Sequence, residues 1–150
     1  MAQTETTKPN PTVPGRPCPA AGALSLVGEK WSLLVVRELL LGVHRFDAIA
    51  RNTGAPRDRL TARLRALEEA GVVERRAYSE RPPRHEYHLT DAGRDLAPVV
   101  TALAHWGSTW LYDEPPVVFH HRDHVAVLDT TPTCTACGSP ADHLTPHPHP

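Results

Sequence analysis

Three groups of side chains in this sequence could do chemistry. The first is a run of guanidinium groups. Between positions 51 and 65 stand five arginines (Arg51, Arg57, Arg59, Arg63 and Arg65) against one acid, Asp58, a local balance of +4 in a chain of net charge −1. Charge concentrated in this way binds phosphate, and a guanidinium also fits the edge of guanine with two parallel hydrogen bonds. Arg81 and Arg84 flank Pro82-Pro83 a short way downstream. The second group is His121 and His124, followed by Cys134 and Cys137. Two thiolates at this spacing can share one tetrahedral Zn2+, with the histidine pair as the other two ligands. The same thiols could instead act as a redox dithiol, or the tail could be flexible and hold no site. The third is Cys18, immediately before Pro19. Proline suits the first position of a helix, which would set the sulfur beside free N–H groups and the positive end of the dipole, where a reactive thiolate is favoured. The inert alternative is a cysteine that packs at a subunit seam.

The elements that must position these groups follow from hydrophobic spacing. Leu60, Leu64 and Leu67 fall at i, i+4 and i+7, so they form one apolar stripe, and Arg59, Thr61, Ala62 and Arg65 point away from it. Pro56 is expected in the first turn of this helix and Gly71 at its end. Residues 72–78 and 85–89 are β-compatible runs separated by residues 79–84, with the prolines expected at the tip and not in the strands. Upstream, residues 45–53 predict a helix with Phe46, Ile49 and Ala50 on one face, and Gly54-Ala55 turns the chain. Two helices joined by a short turn and followed by a hairpin make a winged helix-turn-helix, a fold mainly α with one small β-hairpin. Residues 20–27 and 31–41 predict two earlier helices, and the second is apolar nearly all round, as the centre of a fold would be. From Thr90, an N-cap, a single long helix is expected to about Leu111, with Leu96, Val99, Val100, Leu103, Trp106 and Trp110 along one stripe. Part of that stripe is expected to face a second subunit in a homodimer; the alternative is internal packing on the first helix. Residues 117–119 and 125–128 could pair as short strands.

Length and composition set the frame. A chain of 150 residues fits one domain plus tails. The proline-rich residues 1–17 and the residues 141–150, which hold His143, His147 and His149, are expected to be disordered. Between them lie a DNA-binding and dimerisation domain at 18–112 and an extension at 113–140 that would carry the zinc site. No stretch approaches the roughly 18 to 20 apolar residues of a membrane span, and no apolar signal-peptide run opens the chain, so a cytoplasmic protein is expected. Three cysteines argue against a disulfide framework.

The sequence resembles the HxlR-type transcriptional regulators, a branch of the winged-helix regulators related to the MarR group. The matching residues are, in order, Cys18-Pro19, Gly28-Glu29-Lys30-Trp31, Arg45-Phe46, Leu60-Thr61, Arg63-Leu64, Leu67, Gly71, Pro82-Pro83-Arg84, Glu86-Tyr87, Leu89-Thr90, Gly93 and Trp106-Gly107. They cover residues 18 to about 110. The resemblance implies a homodimer on an inverted-repeat operator, most often a repressor and sometimes an activator. It also implies, for Cys18, the role of a sensor of disulfide stress, quinones or aldehydes. Some such regulators have a comparable tail with a cysteine where His124 stands here, so the histidine is a departure from their pattern.

On this reading Arg57, Arg59, Thr61 and Arg65 contact double-stranded DNA from the recognition helix, the last three in the major groove. Arg81 and Arg84 hold phosphates or the minor groove from the wing, and Arg63 is a structural ion-pair partner. Two other functions compete. A thiol redox protein would use Cys134 and Cys137, but such a pair normally opens a helix in a βαβ unit, and no such pattern surrounds it. A winged helix used only for protein contacts would leave the arginines without a task. No Ser/His/Asp grouping, Gly-rich phosphate loop or carboxylate pair stands out, so an enzyme is not expected.

Overall fold

The computed structural model describes residues 8–126, 131–141 and 144–145. The chain divides into two units, Met1–Val100 and Thr101–Pro150. In the first, α1 (Pro19–Val27), α2 (Lys30–Leu40), α3 (Phe46–Thr53) and α4 (Arg57–Glu69) precede β1 (Val73–Glu80), β2 (Pro83–Leu89) and the one-turn α5 (Asp91–Arg94). Helix α6 (Ala97–Trp110) runs from the first unit into the second, where β3 (His120–His121) and β4 (His124–Val125) form a minimal hairpin.

The core of the first unit follows from three apolar faces. Helix α2 buries Ser32, Val35, Val36 and Leu39, which fall at i, i+3, i+4 and i+7. This face is narrower than the all-round apolar pattern suggests, because Leu40 and Leu41 are exposed. Helix α4 adds the buried Leu60, Leu64 and Leu67, and Ile49 of α3, with Val72, Val73 and Leu89 from the hairpin, completes the cluster. The end of α4 is a closed Schellman cap. Gly71, at φ +70°, donates to the Glu68 carbonyl at 3.0 Å, and Val72 donates to that of Leu67 at 2.9 Å. Only glycine adopts that φ without strain.

Four expectations are corrected. Pro56 is the N-cap of α4, not a first-turn residue. Pro83 is the first residue of β2, paired with Glu80, a place where no ladder donor is required. The long helix is two helices, broken at Asp95-Leu96. Pro98 explains the break: it has no N–H for the Arg94 carbonyl, and its ring would strike that carbonyl in a continuous helix. In the second unit the paired strands are the shorter β3 and β4, nearer the turn than 117–119 with 125–128; of the expected pairing, Val125 lies in β4 and Ala126 N–H donates to the Phe119 carbonyl at 2.7 Å, while Val127 and Leu128 lie outside the described residues. At the N-terminus, residues 8–17 lack helix and strand, as expected, yet Pro9 to Val13 line a cavity against α1. Residues 1–7, His143, His147 and His149 lie outside the described residues.

Stripe residues Leu96 and Val100 pack against the core, whereas Leu103, Trp106 and Trp110 are 53%, 55% and 72% exposed in the single chain. Among the described residues no helix is long and apolar enough to cross a membrane.

Candidate nucleic-acid interface

Helices α3 and α4 form the helix-turn-helix. The turn is set by Gly54 at φ +72°, whose N–H caps α3 on the Ala50 carbonyl at 3.0 Å, and by Ala55 N–H donating to Thr53 Oγ1 at 3.2 Å. With the leucine edge of α4 buried, Arg59, Thr61, Ala62 and Arg65 lie on its exposed face. Thr61 Oγ1 donates to the Arg57 carbonyl at 2.8 Å, which leaves the hydroxyl oxygen free to accept.

The arginines divide into engaged and free. Arg57 Nη1 donates to Asp47 Oδ1 at 2.7 Å, and its guanidinium lies 4.8 Å from the Phe46 ring centre, so it ties the start of α4 to the start of α3. Both members of that ion pair are exposed, so the pair is worth only about 0 to 1 kcal/mol and a phosphate can take over the arginine. Arg59 is 3.9 Å from Asp58 Oδ2. Arg65, Arg81 and Arg84 are exposed and make no ion pair among the described residues. Arg63 is half-buried and, among the described residues, also without an ion pair; the acids near α4 are taken by other arginines, Glu68 by Arg75 at 3.7 Å. Its expected role as an ion-pair partner is corrected accordingly.

Sequence reasoning missed the joint between the helices and the wing. Arg45 Nε is 3.4 Å from Glu86 Oε1, and its guanidinium lies 4.9 Å from the ring of Tyr78 on β1. Residues 44 and 45 touch β2 through an isolated bridge: Tyr87 N–H donates to the His44 carbonyl at 2.9 Å, and Arg45 pairs with Glu86. The His44 and His88 rings stack at 4.1 Å across this seam. The adjacency Arg45-Phe46 was visible, but a contact spanning 41 positions is not. Glu38 was missed too. It is 3% exposed, receives Arg37 Nε and Nη2 at 2.9 and 2.7 Å, and accepts Asn52 Nδ2 at 2.8 Å, which fixes the end of α3 against α2.

The three cysteines are free. Cys18 is the exposed N-cap of α1. The Ala21 and then the Ala20 N–H groups hold its thiol below the usual cysteine range, with a smaller push from Arg16, although neither amide closes a cap hydrogen bond. In the tail the histidines and cysteines stand as two pairs, each on its own turn. No three His, Cys, Asp or Glu side chains are gathered into one group among the described residues.

The profile of the HxlR-like helix-turn-helix family matches residues 26–115. An uncharacterized HTH-type transcriptional regulator of Mycobacterium tuberculosis is 46% identical over 132 residues, covering 85% of this chain and 84% of the relative. Among solved structures, that of PA1607 is 35% identical with a TM-score of 0.70, over 82% of this chain and 87% of that one. The redox regulator HypR in its oxidized form is 35% identical at a TM-score of 0.56, over 61% and 96%. The arginine-bearing α4, the attached wing and these likenesses agree: the chain belongs to the HxlR-like helix-turn-helix family of DNA-binding transcriptional regulators.

Proposed function

We propose that the chain acts as a cytoplasmic homodimer on an inverted-repeat operator, as a repressor. Helix α4 enters the major groove with Arg59, Thr61 and Arg65, Arg57 takes a phosphate at the helix start, and Arg81 and Arg84 hold the flanking backbone or minor groove. The observation that carries this reading is the set of exposed arginines that make no ion pair among the described residues, Arg65 on α4 with Arg81 and Arg84 at the wing tip. The dimer is supported by Leu103, Trp106 and Trp110, large apolar side chains more than half exposed along one helix. The test is a gel-shift against the DNA upstream of the protein's own gene. Arg65→Ala is expected to lose about 1 to 3 kcal/mol and relax base preference, while Arg84→Ala weakens all sequences alike and lowers the salt slope by about 1. Unchanged binding in both variants would overturn the docking face, and a monomer in analytical ultracentrifugation would overturn the dimer.

Regulation by oxidants or electrophiles at Cys18 fits the same picture. The thiol is exposed and held toward the thiolate by the start of α1, and a cavity of about 560 Å3 lined by Pro11, Val13, Pro17, Gly22 and Leu26 adjoins it. HypR, a structural neighbour, is a redox regulator. DNA affinity measured with and without diamide, in wild type and Cys18→Ser with Cys134 and Cys137 already replaced, is expected to change only where Cys18 is present. Equal affinities in all four samples would reduce Cys18 to packing.

A further inference from the structure

We propose that the tail is a binding site for a thiophilic divalent cation, Zn2+ by the chemistry of its donors, with Cys134, Cys137, His121 and His124 as tetrahedral ligands contributed by two separate hairpins. The cysteine hairpin is already shaped. Thr133 pairs with Pro140, Cys134 N–H donates to the Ser139 carbonyl at 2.9 Å, and Gly138, at φ +72°, donates back to the Cys134 carbonyl at 2.7 Å. The Ser139 N–H and the Cys134 thiol both face the Cys137 sulfur. The histidine hairpin is its counterpart. His121 and His124 are register partners across the β3–β4 turn, their rings edge-on at 5.6 Å. Asp123 Oδ1 lies 3.4 Å from His124 Nδ1, as a carboxylate does when it orients an imidazole that offers its other nitrogen to a metal.

What joins the two hairpins is the question that the second unit raises. Val117, Val118, Phe119, Val125 and Leu144 are all about half exposed or more, so among the described residues no apolar cluster closes this segment. Pieces this small are ordinarily closed by a disulfide or a metal instead of a core. Two thiolates and two neutral imidazoles balance the charge of Zn2+ and match its softness and tetrahedral preference. The pairs are not gathered into one group, so the ion brings them together, and binding is coupled to closure of the tail.

The test uses the full chain, stripped of metal and reduced, with His143, His147 and His149 replaced by alanine, and Co2+ as the probe. One Co2+ per chain is expected, with the intense visible bands of a tetrahedral ion, thiolate-to-cobalt charge transfer from two sulfurs, and displacement by Zn2+. Cys134→Ser should reduce the charge-transfer intensity per bound Co2+ to that of one sulfur and weaken binding by at least roughly 100-fold, and His121→Ala with His124→Ala should abolish the tetrahedral spectrum. Retained DNA binding in these variants shows that the winged helix is still folded. No uptake, a weak six-coordinate spectrum, uptake unchanged in the histidine variant, or loss of both thiols to a disulfide in the presence of Co2+ would each overturn the proposal.

Discussion

The first unit and the tail hold their shape by different means. Between α1 and Val100, twelve apolar side chains, Leu60, Leu64 and Leu67 among them, are removed from water in one cluster. The tail has hairpins closed by backbone hydrogen bonds with their large apolar side chains left in solvent. Burial is cooperative and fixes many groups at once, whereas a tight turn fixes only itself. A unit of the first kind can position a docking face to a fraction of an ångström. One of the second kind can present ligand pairs but needs an outside partner to join them.

The contrast can be broken most directly in the core. Leu64→Ala should lower stability by about 2 to 5 kcal/mol in chemical denaturation, because the removed methyl groups leave a cavity among rigid neighbours. Gly93→Ala comes next, at about 1 to 3 kcal/mol. A methyl there would run into the Val72 carbonyl oxygen and the Leu89 side chain, and the wing and α5 would have to part to admit it. Thiol chemistry sharpens the comparison without moving stability. Backbone N–H groups lower the pKa of Cys18 in one unit and of Cys137 in the other, so in metal-free protein both should reach full alkylation rates at a lower pH than a free cysteine. Rates that follow the free-cysteine pH curve would remove the thiolate argument at both places. The smallest effect is expected from Val118→Ala in metal-free protein, within about 0.5 kcal/mol, since the side chain already faces water. A loss there comparable to that of Leu64→Ala would show that the tail has a core of its own.

Much of the first unit was legible because its signals are local. The leucine spacing of α4, the Gly54 turn and the Gly71 cap are each decided within a few residues, and each stands where the pattern puts it. The break before Pro98 was equally local and was overlooked because the apolar stripe runs through it unchanged: periodicity records which face is apolar, not whether the backbone can continue. The joint of Arg45 with Glu86 and Tyr78, and the anchoring of Asn52 by Glu38, depend on pairs far apart in sequence, and nothing in the residue types announces them. Which arginines are free was also hidden. Asp47 and Glu68 were countable as charges, but their assignment to Arg57 and Arg75 is a matter of three-dimensional reach.

Residues 44 and 45 are at once the lead-in to α3 and the backbone bridge to β2 of the wing. The two parts that the proposed docking brings to DNA are therefore jaws of one caliper. If the wing tip is pushed by a widening groove, the displacement either passes into the first turn of α3 or breaks the hydrogen bond between Tyr87 and His44. On the proposed docking, this joint couples the recognition helix to the width of the groove that the wing meets.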